Sequence, residues 1–136
     1  MLRQFIVTSL LLLAFQLPIA FAEPAKSLLQ QLPKVVHSNL SPLFLANAIG
    51  QTGLNGQIDS KPDKLLNQLR DTLTKLGYQE RTINTVVGQW GFNLVMQVPD
   101  NVTVDGTPSG KIAALVLQAT AIAPGRLNLN VRFDAI

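Results

Sequence analysis

Residues 63–76 read DKLLNQLRDTLTKL and residues 77–98 read GYQERTINTVVGQWGFNLVMQV; the spacing of apolar residues changes where the two stretches meet, at Gly77. In the first stretch Leu65, Leu66, Leu69, Leu73 and Leu76 stand three or four residues apart, which places them on one stripe of a helix. Ser60 occupies a capping position with Pro62 in the first turn, Asp71 precedes Lys75 by one helical turn, and Gly77 is a stop signal. The spacing therefore predicts an amphipathic helix over 63–76 with one buried face. In the second stretch Trp90, Phe92, Leu94, Met96 and Val98 alternate with Gly91, Asn93, Val95 and Gln97, the two-residue period of a half-buried strand.

Working outward, Arg81–Val87 is expected to be a strand, with Gly88 and Gln89 as the turn into the next. Pro99–Gly110 is rich in turn formers and reads as a long loop, or as a loop enclosing a short Val102–Val104 strand. Lys111–Ile122 is a third strand and Pro124-Gly125 a turn; Leu127, Leu129, Val131 and Phe133 alternate with Asn128, Asn130 and Arg132 in a fourth. Four such strands in chain order suggest an antiparallel meander. On the N-terminal side, residues 23–53 read as two short apolar helices. The second opens at Ser41-Pro42 and stops at Gly50. Leu54–Asp59 is open between a loop and a short first strand. The expected fold class is α+β: one helix across a four-stranded meander, preceded by short N-terminal helices. This element order resembles that of the cystatin-like class.

Three segments follow: 1–22, 23–53 and an α+β domain at 54–136. The first begins Met1-Leu2-Arg3-Gln4, continues as an apolar run from Phe5 to Phe15, and ends with Ala20 and Ala22 at the small-residue positions of a cleavage site. That is the pattern of a secretory signal peptide. A membrane anchor fits less well, because Gln16 and Pro18 interrupt a run already shorter than the roughly 20 residues that span a bilayer. The expectation is an exported protein, secreted to a bacterial periplasm or, in a cyanobacterium, to the thylakoid lumen, with no integral span after cleavage.

Of eleven basic residues only Arg3 leaves with that segment, so the mature chain carries ten basic against eight acidic residues, a formal charge of +2. This is too mild for nucleic-acid binding. With no cysteine there is no disulfide, thiolate site or thiol nucleophile. The only histidine, His37, lies in an apolar Val-Val-His-Ser segment with no acid nearby in sequence, so it lacks the partners that general-base catalysis needs. The stretch 100–106 lacks the ligand spacing and closing Glu of a calcium loop. Gly50, Gly53 and Gly56 lack the context of a phosphate loop, and no Gly-x-Ser-x-Gly occurs. The formal glycosylation sequon Asn101-Val102-Thr103 stays silent in a bacterial setting. Neither catalytic residues nor a metal or cofactor is expected, and the chain reads as a non-enzyme.

In the third strand Ala113, Leu115, Leu117, Ala119 and Ala121 form the wholly apolar set, which is expected to face the helix together with Trp90, Phe92, Leu94, Met96 and the apolar set of the fourth strand. The opposite face then carries Asn84, Thr120 and the candidate binding residues Asn93, Gln97, Gln118, Asn128, Asn130, Arg126 and Arg132 around an apolar strip at Val95, Ala114 and Val116. One solvated face is normal for an antiparallel sheet. As a binding surface, such amides donate and accept hydrogen bonds while arginine forks onto carboxylates, which suits a polar polymer, a peptide or a protein. The leading expectation is an exported non-catalytic domain that binds a protein partner or envelope component. A carrier of a small apolar ligand between helix and sheet is one alternative, and self-association as a homo-oligomer is another. A third is protease inhibition: Asn84-Thr85-Val86-Val87-Gly88 is similar to the cystatin hairpin Gln-x-Val-x-Gly in its Val and Gly, but departs at the leading Gln, and Pro124 is followed by Gly125 where a second cystatin hairpin has Pro-Trp.

Overall fold

A leucine stripe needs a surface to cover it, and the alternating segments supply one. In the computed structural model, which describes residues 23–24, 32, 41–46 and 52–136, the stripe lies in α1 (Pro62–Lys75). Leu65, Leu66, Leu69 and Leu73 are its buried side chains. The N-cap is Lys61, in extended backbone, with no side-chain cap; the Ser60 hydroxyl instead donates to the Lys61 carbonyl at 3.1 Å. The helix therefore starts on Pro62, whose missing N–H and fixed φ suit the first helical position. At the other end Gly77 adopts φ +93°, its N–H reaches the Thr74 carbonyl at 3.0 Å and the Tyr78 N–H reaches that of Leu73 at 3.0 Å. This is the Schellman arrangement, which uses carbonyls the helix would otherwise leave unpaired.

The strands are β1 (Glu23–Pro24), β2 (Ser41–Ala46), β3 (Thr52–Asp59), β4 (Gln79–Glu80), β5 (Val86–Gly88), β6 (Gly91–Gln97), β7 (Val102–Thr103), β8 (Ala113–Ala123) and β9 (Arg126–Ala135). The main sheet runs β2-β3-β9-β8-β6-β4, every pairing antiparallel, and β5 shares the β6 edge with β4. After the helix, β4 and β5, then β6, β8 and β9 follow one another across the sheet, but with β2 and β3 the sheet has seven strands rather than the four expected, and β7 lies outside it. What precedes the helix closes the other side: Leu54–Asp59 lies within β3, which pairs with the last strand, Leu54 opposite Val131 through Asp59 opposite Arg126. The chain leaves β3, crosses the sheet as α1 and re-enters at the far edge, so that among the described residues one helix covers one face. The protein is a mixed α+β fold with one helix packed on an antiparallel sheet.

Four local departures from the sequence reading have physical reasons. The strand expected over Arg81–Val87 is split into β4 and β5. Between them Arg81–Thr85 forms a turn, with Asn84 N–H and Thr85 N–H on the Arg81 carbonyl at 3.0 and 3.1 Å, and the Val95 N–H, which loses a ladder partner there, donates to the Thr85 hydroxyl at 3.2 Å. The β5–β6 turn is Gln89-Trp90, one residue later than expected, because Gly88 pairs with Gly91. Trp90 is consequently outside the core, 44% exposed. Finally, Ser41–Ala46, expected within a helix, is strand β2 at the sheet edge, where Pro42 is tolerated because an edge strand need not donate outward. The first expected helix and the signal segment lie outside the described residues. Val102–Thr103 is a short strand, β7, paired in parallel with β1.

Between helix and sheet lies one continuous core. Phe92, Leu94 and Met96 of β6, Leu115, Leu117 and Ala119 of β8, and Leu127, Leu129, Val131 and Phe133 of β9 meet the helix stripe, with Ile58, Tyr78, Val104 and Leu32 at its margins. Arg70 of α1 and Glu80 of β4 form a forked pair at its edge, Nε to Oε1 at 2.7 Å and Nη2 to Oε2 at 3.1 Å, which fixes the helix against the far strand.

Candidate binding face

Strand register brings the residues of the second face together. Because directly opposed residues share a face, the pairings Asn55 with Asn130, Asn130 with Gln118 and Gln118 with Asn93 make one row of four amides across β3, β9, β8 and β6. The neighbouring rows are Gln57, Asn128 and Thr120 on one side, and Arg132, Val116 and Val95 on the other, followed by Asp134, Ala114 and Gln97. Arg126 stands at the start of β9 opposite Asp59. All seven residues singled out in the sequence, Asn93, Gln97, Gln118, Arg126, Asn128, Asn130 and Arg132, are thus on the side of the sheet away from α1. At ~4.8 Å per strand the amide row is roughly 14 Å long.

The face is cross-linked by its own side chains. Asn55 and Asn128 exchange hydrogen bonds, Nδ2 to Oδ1 at 3.3 Å in one direction and 3.2 Å in the other. Asn130 Nδ2 adds a longer contact to Asn55 Oδ1 at 3.5 Å. Arg132 Nη1 donates to Asn130 Oδ1 at 3.0 Å and approaches Gln118 Oε1 at 3.5 Å. Arg81 joins Gln97 at 3.4 Å, and Arg126 Nε lies 3.1 Å from Asp59 Oδ1. These contacts tie strands together and orient the amides of Asn55, Asn128 and Asn130, with longer contacts to Gln118 and Gln97. They also use only part of what each amide offers, since an amide has two donor hydrogens and an acceptor oxygen with two lone pairs. Beside the polar groups, on the same face, Val95, Ala114 and Val116 form a small buried cluster with Ile136 packed against it.

Asn55 and Arg81 belong to this network and were not among the residues read from the sequence. The signal for Asn55 was present: Leu54, Gly56 and Ile58 alternate with Asn55, Gln57 and Asp59. Two glycines disguise that alternation.

A concave feature lies on the helix side. An open groove of about 430 Å³ runs between the first turns of α1, at Asp63, Leu66 and Asn67, and the β5–β6 hairpin, at Val87, Gln89 and Phe92. Near it Ile83, Val86, Val87 and Trp90 are exposed. Among the described residues no group of three or more His, Cys, Asp and Glu side chains could hold a metal ion, and no helix is long and apolar enough to cross a membrane. His37 lies outside the described residues.

No protein-family model, curated protein or solved structure matches the chain. The likeness to cystatins therefore stays one of element order.

Proposed function

We propose that the chain is an exported, non-catalytic binding domain whose polar sheet face engages a partner protein or another envelope component. The observation that carries this reading is the row Asn55-Asn130-Gln118-Asn93, held in register by four strands and flanked by Arg132. A row of amides in strand register, three of them bonded to neighbours, offers donors and acceptors at regular spacing and loses less side-chain entropy on binding than free side chains would. The apolar-carrier alternative is weakened because Leu65, Leu69 and Leu73 meet Phe92, Leu94 and Met96 with at most 1% exposure, so a ligand there would have to displace packed side chains. The inhibitor alternative is weakened because the segment similar to the cystatin motif ends in a paired edge strand, and the hairpin tip is Gln89-Trp90.

The test is affinity capture from the envelope of the source cell with the wild-type chain and with the triple variant N93A/Q118A/R132A. A component retained by the wild type and weakened roughly tenfold or more in the variant, about 1.4 kcal/mol, is the expected result. Equal retention by both would remove the face from the proposal.

A further inference from the structure

Two turns, from separate parts of the chain, come together at one end of the sheet. The Gln89-Trp90 turn of β5–β6 lies beside the end of β8, where the Ala121 N–H donates to the Trp90 carbonyl at 2.8 Å. The β8–β9 turn at Pro124-Gly125 lies beside the entry to α1, where the Ser60 N–H donates to the Gly125 carbonyl at 3.0 Å. Trp90 and Ile122 are 44% and 48% exposed there. Both turns are embedded in charge-free sequence: Thr82–Pro99 and Ile112–Gly125 contain no Asp, Glu, Lys, Arg or His. Just behind this tip, at the start of α1, Lys61 and Lys64 are exposed. Among the described charges at this end Asp59 is matched by Arg126 at 3.1 Å, which leaves two lysines against Asp63.

We infer that this end of the molecule docks on an anionic lipid surface, with Trp90 and Ile122 entering the headgroup region and Lys61 and Lys64 meeting lipid phosphates. The chemistry matches on both counts. A tryptophan ring with an apolar body and one N–H donor suits the membrane interface, and a neutral tip enters it without the cost of burying a charge. The flanking lysines supply attraction of on the order of fivefold each, falling with salt over a Debye length of ~10 Å. This docking uses a different surface from the amide row and does not rest on the reading of that face.

Trp90 is the only tryptophan in the chain, so its fluorescence reports on the tip alone whatever other segment touches lipid. The protein is titrated with vesicles of phosphatidylglycerol and phosphatidylcholine in equal parts, and with phosphatidylcholine alone. The expected result is a blue shift of Trp90 emission and quenching by brominated acyl chains with the anionic vesicles. In K61Q/K64Q the apparent affinity should fall tenfold or more; in I122D the shift should be lost while the thermal transition is kept. K61Q/K64Q, both exposed positions, keeps the test decisive if I122D fails to fold. Emission unchanged at saturating anionic lipid, or an equal shift in wild type and K61Q/K64Q, would overturn the inference. So would a shift that follows protein concentration without lipid, which would instead assign the tip to a second copy of the chain.

Discussion

The two faces of the sheet are built from the same strands and differ in what holds them. On the helix side, alternate residues of β6, β8 and β9 are large and apolar and are covered by the leucines of α1. On the other side the intervening positions carry amides and arginines that bond laterally to one another, beside a small buried cluster of Val95, Ala114 and Val116. The difference separates stability from recognition: burial free energy scales with apolar area, whereas an exposed amide contact nets little because water competes for it. Changes on the first face should therefore unfold the protein, and changes on the second should leave it folded and alter what it binds.

The sharpest way to break that contrast is truncation in the covered face. Leu117→Ala, at the centre of β8 with no exposure, should cost about 3–5 kcal/mol by transfer and cavity terms together, read as a lower denaturation midpoint with an unchanged slope. A cost below about 1 kcal/mol would mean that the core is looser than the packing implies. Next comes Gly91→Ala. Gly91 begins β6 with φ +138°, and an added Cβ would lie 2.0 Å from the Ala119 carbonyl oxygen. Backbone strain of about 1–3 kcal/mol is expected, with further loss as β6 and β8 separate, and amide exchange should accelerate first along that pair. Val116→Ala, directly across the sheet from the helix, removes two buried carbons worth about 1–2 kcal/mol. It should therefore fall between the core truncation and any change to the amides.

How much of this could be read from residues alone follows from how local each signal is. The leucine stripe and the Trp90–Val98 alternation involve neighbours a few positions apart, and both the helix and the face assignment of β6, β8 and β9 follow from them. Trp90 was misplaced because alternation does not say where a hairpin turns. The Gly88-Gly91 pairing shifts the turn by one residue and carries the indole out of the core. The pairing of β3 with β9 joins residues about 70 positions apart, and nothing local encodes it. The same holds for Asn55, whose partners Asn128 and Asn130 become visible only once that pairing is known. The seven candidate face residues needed only strand parity, which explains why the sequence groups them.

The smallest expected effect is the most informative about the polar face. Asn55→Ala removes the reciprocal bonds with Asn128 and the contact from Asn130, all on partly exposed groups, so the loss of stability should be about 0.5–1 kcal/mol. The double variant with Asn128→Ala should cost less than the two single changes added together, by roughly 0.5 kcal/mol, since residues in direct contact are coupled. Strict additivity would mean that the two amides are hydrated separately in solution. In that case the amide row would be no more ordered than any wet sheet face, and the entropy argument for its use in binding would fail while the fold stood unchanged.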